Sequence, residues 1–396
     1  MHPSEAIVGT ASSLLEGKTI VLGITGSIAA VECFELARDL MRHGARVIPV
    51  LSPEARKLVT PYAMTFATGE EAIVELDGRV QHVALMGDVP GRADLLLIAP
   101  ATANTISKIA SGIDDTTVTT MATVALGSGI PVLIAPAMHG AMFHNPMVAE
   151  NIERLRRAHV EFVGPRFEGR KAKIAVPEEI VHAVIRKLSE GLMRGRRLLI
   201  VGGSSAESID DMRIVTNRGT GETAVELALA AYHQGAEVEL WMGRCSVDLP
   251  QFIPTMRFEN LADLEGMIAG IDHEMVAVPA ALSDFTFDRK RGKLPSEAKA
   301  TKLQLRSVPK MLPLIVERCG KVIGFKAESG VGKEELVKEA LDSLERNHLQ
   351  AVVANDLRDV KEGRTKVIFV RSGHQDEIEG SKAEVARQLI KELSGI

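Results

Sequence analysis

Two glycines and two hydroxyl side chains lie close together in the segment Gly23–Ala30, which reads GITGSIAA. The segment follows an apolar run, 19–23, and precedes a helical pattern. At such a junction free backbone N–H groups and the positive end of the helix dipole converge, and a glycine lets an anion approach the backbone. Gly26 and Ser27 are therefore candidates for binding a phosphate. The motif is not GxGxxG, and a glycine in a tight turn often has only a geometrical role.

Polar and small residues also follow two later apolar runs. The run from Asp94 continues into PATANT, residues 100–105, and the run ending at Ala135 continues into PAMHGAMF, residues 136–143. Doubly wound sheets bind ligands at the carboxyl ends of parallel strands, so the two segments together predict a pocket. The alternative for the first segment is an N-capped helix, with Thr102 or Asn104 as the cap.

His82 lies ahead of the Asp94 run, in the segment QHVAL. An imidazole titrates near neutral pH and can transfer a proton during a reaction. A lone histidine is more often a surface residue or a hydrogen-bonded core residue. The residue types alone leave both interpretations open.

The second half of the chain has strand ends of the same kind. Gly203 and Ser204 follow the apolar run 198–201, and Asn217 lies in the polar, glycine-rich segment 209–221. So many hydrogen-bonding groups favour a ligand site, although polar loops without a ligand exist.

Another strand end and a cationic run follow in residues 279–293. The motif PAALSDF contains Ala281 and Asp284, and the run RKRGK ends at Lys293. Opposite a triphosphate such cations can neutralise the charge that develops as pyrophosphate leaves, but a cationic run is more often a solvated face. The alternative role of Asp284 is to cap a helix or turn. The P-loop motif is absent, which fits activation of an acid by nucleotidyl transfer better than phosphoryl transfer to a hydroxyl.

Short β-rich runs alternating with helical patterns must position these residues. They predict an α/β fold with two doubly wound, Rossmann-like domains, residues 1–190 and 191–396. In the first domain the predicted strands are 19–23, 45–51, 94–99, 131–135 and 160–163, and the predicted helices are 29–43, 53–60, 116–127, 146–158 and 177–193. In the second domain the predicted strands are 198–201, 238–241, 275–278, 322–325, 351–354 and 366–370, with helices beginning near 222 and 381.

The composition argues against several functional classes. A net charge of −5 over 396 residues leaves no excess of cations to neutralise nucleic-acid phosphates. No apolar run approaches the roughly 20 residues that span a bilayer, and the N-terminus lacks the apolar segment of a secretory leader. The three cysteines are scattered, so neither a disulfide framework nor a zinc site is indicated. We expect a cytoplasmic protein that binds neither nucleic acid nor membrane.

The first-half motifs resemble, in their order, those of the flavin-containing cysteine decarboxylases: GITGSIAA, the His82 segment, ADLLLIAPATANT and PAMHGAM. Residues 18–375 as a whole resemble the bifunctional phosphopantothenoylcysteine decarboxylases and phosphopantothenate-cysteine ligases of coenzyme A biosynthesis. The resemblance implies a flavodoxin-like first domain that binds FMN. The implied FMN-binding residues are Gly26, Ser27, Thr102, Asn104 and Met138.

The resemblance also implies a mechanism for the first domain. In that family the flavin oxidises the substrate's cysteine thiol to a thioaldehyde, the neighbouring carboxylate leaves, and the reduced flavin then reduces the enethiol product. His82 matches the histidine that assists proton removal. His139 stands where the family has an asparagine that binds the substrate carboxylate, and Met142 belongs to the same substrate-binding segment.

The flap segment 164–174 also departs from the family, because it lacks a cysteine that helps the final reduction. We expect Arg166, Arg170 or Lys171 to contact the substrate phosphate from this flap. The alternative is a solvated basic loop.

The second half resembles the ligase at several motifs. Asn217 matches the residue that handles the acyl-nucleotide intermediate, and Lys293 matches the first lysine of a KxKK motif that is otherwise replaced here. The implied nucleotide-binding residues are Gly203, Ser204, Ala281, Asp284, Lys293 and Phe325, and Asp284 is also the implied metal ligand. The implied reaction joins 4'-phosphopantothenate to cysteine through an acyl-cytidylate, with CTP and Mg2+.

The family resemblance further implies a homo-oligomer, in which trimeric flavin domains and dimeric ligase domains combine into a dodecamer. Its partners would be small-molecule substrates. The alternative function is a flavin-binding regulatory protein, or a ligase with an inactive decarboxylase domain, because His139 and the flap without cysteine depart from the family.

Overall fold

The computed structural model describes residues 2–169, 171–289, 291–293, 304–360 and 363–396. The chain forms two compact units, Met1–Ser189 and Glu190–Ile396. Each unit has its own mainly parallel sheet and two hydrophobic clusters. The predicted α/β class with two doubly wound sheets is confirmed. None of the described helices is long and apolar enough to cross a bilayer.

The strands of the first unit are β1 (Thr19–Ile24), β2 (Arg46–Leu51), β3 (Leu95–Ala101), β4 (Val132–Pro136), β5 (Met138–His139), β6 (Glu161–Phe162), β7 (Arg166–Glu168) and β8 (Lys171–Lys173). Its helices are α1 (Cys33–Arg42), α2 (Pro61–Thr68), α3 (Gln81–Met86), α4 (Ala103–Ala110), α5 (Thr117–Gly127), α6 (Gly140–Phe143), α7 (Pro146–Arg157) and α8 (Pro177–Leu188).

Five of these strands form a parallel sheet in the order β2-β1-β3-β4-β6. The strands are apolar on both sides because both faces of the sheet are covered. Alternate residues therefore enter different cores. Leu22 and Leu97 lie in one cluster, whereas Val21 and Leu96 lie in the other.

The predicted helix at 53–60 is wrong. Only a 3-10 turn, Ala55–Lys57, lies there, and the helix begins at Pro61. The Thr60 hydroxyl caps this helix by accepting from the Ala63 N–H at 3.1 Å, and proline fits the first helical turn, where its missing N–H leaves no bond unmade. Cap and proline together shift the start by several residues.

The strands of the second unit are β9 (Arg197–Gly202), β10 (Ala206–Ser208), β11 (Ile214–Thr216), β12 (Glu237–Met242), β13 (Thr255–Arg257), β14 (Met275–Val278), β15 (Phe285–Phe287), β16 (Leu305–Ser307), β17 (Val322–Glu328), β18 (Ala351–Asp356), β19 (Arg364–Arg371) and β20 (His374–Ser381). Its helices are α9 (Glu222–His233), α10 (Leu261–Ile268), α11 (Met311–Arg318), α12 (Lys333–Arg346) and α13 (Lys382–Ser394).

The main sheet of the second unit has eight strands in the order β13-β12-β9-β14-β17-β18-β19-β20. The strands from β13 to β18 are parallel, whereas β19 and β20 form an antiparallel hairpin at one edge. Sequence analysis missed β20 because most of its residues are polar and at least partly exposed, with Ile378 and Gly380 as its buried members.

Candidate functional sites at the carboxyl edges of the sheets

The first candidate site lies at the carboxyl ends of β1 and β3, which the buried Thr25 hydroxyl ties together. It donates to the Pro100 carbonyl at 2.7 Å and accepts from the Thr102 N–H at 3.1 Å. One side chain therefore fixes the spacing of the two predicted ligand-binding turns. Sequence analysis did not single out Thr25, although a hydroxyl at the end of an apolar strand is a usable signal.

Gly26 lies at this edge with its backbone close to Glu54. A Cβ atom added to Gly26 would stand 2.5 Å from the Cβ of Glu54, so the close approach requires glycine. The partly buried Ser27 follows and precedes a 3-10 turn, Ile28–Glu32, to which its side chain makes no capping bond. The two predicted phosphate-binding residues thus present backbone and hydroxyl at the strand end.

Thr102 is the N-cap of α4, since its hydroxyl accepts from the Thr105 N–H at 3.2 Å. Between the two caps proposed from the sequence, Thr102 is the right one. Asn104 lies in the first turn of the helix with an exposed side chain. Its amide is therefore presented at the same edge of the sheet without a capping role.

The next strand end leads from β4 directly into β5, which contains Met138 and His139. This short strand joins a three-stranded antiparallel sheet in the order β5-β8-β7, in which Met138 pairs with Ala172 and His139 pairs with Lys171. The flap segment 164–174 is therefore a hairpin that lies beside the PAMH motif. The structure brings together the two regions to which sequence analysis assigned the substrate.

Aromatic contacts hold the hairpin against α6. The Phe167 ring meets the Phe143 ring edge to face at a centroid distance of 5.5 Å and lies 5.7 Å from the His144 ring. Met142, also on α6, is 48% exposed and remains accessible to a ligand. These contacts position the hairpin without a cysteine.

His139 has a fixed hydrogen-bonding polarity. Its Nδ1 accepts from the Ala141 N–H at 3.2 Å at the start of α6, so the neutral ring carries its proton on Nε2. The side chain is exposed. His139 can therefore donate one hydrogen bond outward, as binding of a carboxylate requires.

Arg166 is engaged within the hairpin. Its guanidinium lies 3.2 Å from the Glu168 carboxylate and donates to the Ile174 carbonyl at 3.1 Å. Both side chains of this ion pair are about half exposed, so a phosphate could compete for the guanidinium. The Arg170 residue and the Lys171 side chain lie outside the described part of the chain.

His82 lies on α3, and its Nδ1 atom is buried without a hydrogen-bond partner among the described residues. Buried polar atoms normally have a partner, so this ring nitrogen is available for a hydrogen bond to a group outside the described residues. The apolar Val80 and Val83, close to His82 in the sequence, are 43% and 39% exposed.

The second candidate site centres on Ser204, whose backbone lies between the ends of β12 and β14. The Ser204 N–H donates to the Arg244 carbonyl at 2.9 Å, and the Ser204 carbonyl accepts from the Arg244 N–H at 2.8 Å. On the other side the Ala281 N–H donates to the Gly203 carbonyl at 2.8 Å. Gly203 has a φ of +72°, which favours glycine and allows the turn.

Asn217 reaches the same place. Its amide donates to the Ala281 carbonyl at 2.9 Å, so the predicted residues Gly203, Ser204, Asn217 and Ala281 form one cluster. Ser205, which sequence analysis missed, is fully buried, and its hydroxyl accepts from the Ser283 N–H at 2.9 Å. This bond fixes the segment that leads to Asp284.

Asp284 is exposed, and its carboxylate forms an ion pair with Lys310. Lys293 is also exposed, and the residue before it is tethered: the Gly292 N–H donates to the Asp211 carboxylate at 2.8 Å. This N–H and the Arg289 guanidinium hold the pKa of Asp211 below its usual value. The loop bearing Lys293 is thereby anchored to the polar segment that contains Asn217.

Phe325 is partly buried in β17 and follows Gly324, which pairs with the end of β14. In the neighbouring strand the buried Asp356 carboxylate accepts from the Gly330 N–H at 3.2 Å, and the Arg358 guanidinium holds the pKa of this carboxyl well below its usual range. Phe325 thus lies at the same sheet edge as Ala281, one strand away.

Two family models match the chain: Flavoprotein over residues 8–189, and the DNA/pantothenate metabolism flavoprotein C-terminal domain over residues 193–396. The coenzyme A biosynthesis bifunctional protein CoaBC of Thermococcus kodakarensis is 42% identical to this chain over 401 residues, with 99% of each chain covered. The chain belongs to the CoaBC family of bifunctional coenzyme A biosynthesis proteins.

A second CoaBC relative, from Methanocaldococcus jannaschii, is 34% identical over 401 residues and covers 99% of this chain and 97% of its own. The solved DNA/pantothenate metabolism flavoprotein from Streptococcus pneumoniae is similar to 51% of this chain and 99% of its own, with 22% identity and a TM-score of 0.47. The predicted family is confirmed, and with it a bifunctional flavoprotein enzyme with decarboxylase and ligase activities.

Proposed function

We propose that the second unit joins 4'-phosphopantothenate to cysteine with CTP and Mg2+, and that the first unit binds FMN and decarboxylates the product to 4'-phosphopantetheine. The 42% identity to a CoaBC protein over 99% of the chain carries the proposal. The convergence of separate sequence motifs at one edge of each sheet supports it.

The residues at the first sheet edge suit FMN. The exposed Gly26 presents its backbone at the strand end, Ser27 offers a hydroxyl, and the exposed Asn104 amide can serve the ring or its ribityl chain. Thr102 and Met138 line the two neighbouring strand ends. When bound, FMN supplies the two-electron chemistry that no side chain here can provide.

The protein's own groups then handle protons and orientation. His82 can accept the substrate's proton. Its Nδ1 atom has no hydrogen-bond partner among the described residues, so it can bond to a group outside them. His139 donates from Nε2 to the substrate carboxylate. The flap hairpin excludes water over this carboxylate, and its cations, Arg166 and Lys171 among them, bind the substrate phosphate.

In the ligase unit Asn217 orients the acyl-nucleotide, because its amide already lies beside Ala281 and Ser204. Phe325 packs by the base. Asp284 belongs to no cluster of three or more metal-ligating side chains among the described residues. Mg2+ would therefore take one carboxylate oxygen from Asp284 and the rest from phosphates and water, as this ion commonly does.

Lys293 is proposed to stabilise the charge of the leaving pyrophosphate, with its loop anchored through Gly292 and Asp211.

We also propose a homo-oligomer with trimeric flavin units, dimeric ligase units and a dodecamer as their combination. The exposed apolar Val80 and Val83 beside the orphaned His82 nitrogen support a neighbouring subunit at the first site. Mass photometry of the purified protein tests this assembly.

Purified protein loaded with FMN and incubated with 4'-phosphopantothenate, cysteine, CTP and Mg2+ should yield 4'-phosphopantetheine and carbon dioxide, as measured by mass spectrometry. Replacing CTP by ATP tests the nucleotide. Accumulation of 4'-phosphopantothenoylcysteine alone would leave a ligase with an inactive flavin unit. A colourless protein that takes up no FMN would refute the proposal for the first unit.

A further inference from the structure

An open cavity of about 320 Å³ lies at the carboxyl ends of β12 and β13 in the second unit. None of its residues belongs to the site predicted from the sequence. Its lining residues are Gly243, Arg244, Cys245, Arg257, Phe258 and Glu259.

The cavity is continuous with the proposed nucleotide site. Arg244 exchanges two backbone hydrogen bonds with Ser204, at 2.9 and 2.8 Å. On the other side the Ser246 N–H donates to the Thr220 carbonyl at 3.0 Å, which joins the cavity wall to the glycine-rich loop after Asn217. In the sheet order β13-β12-β9-β14-β17 the cavity lies on the opposite side of Ser204 from Ala281.

Two arginines, the exposed Arg244 and Arg257, contribute positive charge to the lining of the cavity. Arg257 donates to the Gly243 carbonyl at 3.0 Å and lies 3.2 Å from the Cys245 sulfur, so its side chain is held at the wall. Among the described residues no carboxylate oxygen lies within 4.0 Å of either arginine. The lining contains one acidic residue, Glu259, and two arginines, so its net charge is positive.

Guanidinium groups bind phosphate through two parallel hydrogen bonds, and both arginines have donors left for such a pair. We propose that Arg244 and Arg257 form an anion subsite that binds the phosphate group of a ligase substrate. The inference rests on the proposed ligase function. The phosphate belongs either to the nucleotide or to 4'-phosphopantothenate, two sources with the same chemistry.

The test is isothermal titration of the full-length protein with CTP and Mg2+, and separately with 4'-phosphopantothenate. Arg244→Gln removes a side chain that is exposed, and Arg257→Lys keeps the charge but loses the paired donors. Arg346→Gln, an exposed arginine in the last turn of α12, is the matched control. Each site variant should raise the Kd of one phosphate-bearing ligand about tenfold, as loss of a charged hydrogen bond predicts.

A loss confined to CTP assigns the subsite to the nucleotide, and a loss confined to 4'-phosphopantothenate assigns it to that substrate. Cytidine and pantothenate, which lack the phosphates, should bind the wild type and both variants equally. If the wild type binds both ligands and the variants match Arg346→Gln, the subsite is refuted while the ligase function stands. If the wild type binds neither ligand, the proposed function itself falls, and the subsite falls with it. A variant that alters only cysteine binding would also overturn the inference.

Discussion

The two candidate sites use the same sheet edge but are held together differently. In the first unit a side chain, the Thr25 hydroxyl, ties two strand ends. In the second unit the tie is made by backbone, because Ser204 pairs with Arg244 and neighbours the Gly203–Ala281 bond. The frame of the first site therefore depends on one side chain, whereas the frame of the second depends on backbone bonds together with the Ser205 and Asn217 side chains.

The surroundings differ as well. The first unit has a hairpin, β7 and β8, beside its strand ends, and pairing with β5 fixes the register of this hairpin. The second unit has loops at its strand ends, and the loop that bears Lys293 is anchored through Gly292 and Arg289 to Asp211. A hairpin beside a site can help to exclude water from its reaction, and loops allow several substrates and products to be exchanged.

The largest effect should come from His82→Asn. It removes the proposed proton acceptor, so carbon dioxide release should fall by roughly 10²- to 10⁴-fold while the ligase reaction continues. Mass spectrometry should then find 4'-phosphopantothenoylcysteine in place of 4'-phosphopantetheine. The control is His159→Asn, an exposed loop residue with a φ of +64° that asparagine tolerates. Unchanged release would remove His82 from the mechanism.

The corresponding change in the ligase unit is Asn217→Asp. The amide that donates to the Ala281 carbonyl becomes a carboxylate that repels it, so the second half-reaction should slow by about tenfold or more and the acyl-cytidylate should accumulate. Quenched-flow mass spectrometry detects this intermediate. Asn347→Asp, at the end of α12, should behave like the wild type. Absence of the intermediate at any time point counts against the proposed role.

Acid should distinguish the two units. Burial, and secondarily the charge of His43, lowers the pKa of His182 in the first unit to about 4 from 6.5. The unfolded chain therefore binds this proton first, and the free energy of unfolding of the first unit should fall as the pH drops from 6.5 to 4, by on the order of 3 kcal/mol. His182→Gln should remove this part of the pH dependence.

In the second unit burial raises the pKa of Glu226, and this shift changes the free energy of unfolding with pH in the opposite direction. That contribution is present in acid and is lost as the pH rises through the native pKa. Hydrogen exchange read by mass spectrometry follows the two units separately in one sample. Equal acid sensitivity of the peptides from both units between pH 6.5 and 4 would contradict the comparison. At lower pH the lowered pKa values of Asp211 and Asp356 make the second unit lose stability as well.

The smallest expected effect is on stability. Thr25→Val keeps the shape of the side chain but leaves the Pro100 carbonyl and the Thr102 N–H without their partner, which should lower the free energy of unfolding by about 1–3 kcal/mol. The matched change in the second unit, Ser205→Ala, leaves the Ser283 N–H unpaired. Thermal unfolding should show a larger loss of stability for Thr25→Val than for Ser205→Ala. Thr25→Val should also bind FMN more weakly.

Much of the fold could be predicted because parallel strands covered on both faces are nearly continuous apolar runs. Leu95–Ala101 and Met275–Val278 are such strands. The outer hairpin strand β20 was missed because most of its residues are polar and few are buried, so it has no apolar run. The helix predicted at 53–60 was misplaced because helix caps and proline, rather than the apolar pattern, set where a helix begins.

The candidate sites were only partly predictable for a related reason. Motifs at strand ends indicated Thr102, Asn217 and Ala281, whose neighbours follow from the sheet. Thr25 and Ser205 were missed because their importance lies in partners about 75 residues away, such as the Pro100 carbonyl and the Ser283 N–H. The arginine-lined cavity lies at the ends of β12 and β13, and no local sequence pattern predicts that these two strands pair.

The main-chain position of Ser204 has a consequence for how this enzyme tolerates change. Its anchoring bonds run through peptide groups, so proline, which has no N–H to give, would break them. Its side chain is buried, so only small residues at this position would also preserve the packing. A saturation library at codon 204 should therefore separate two kinds of failure. Small substitutions that lose turnover yet keep a folded chain would report what the hydroxyl does, whereas proline and bulky residues would report what the scaffold needs.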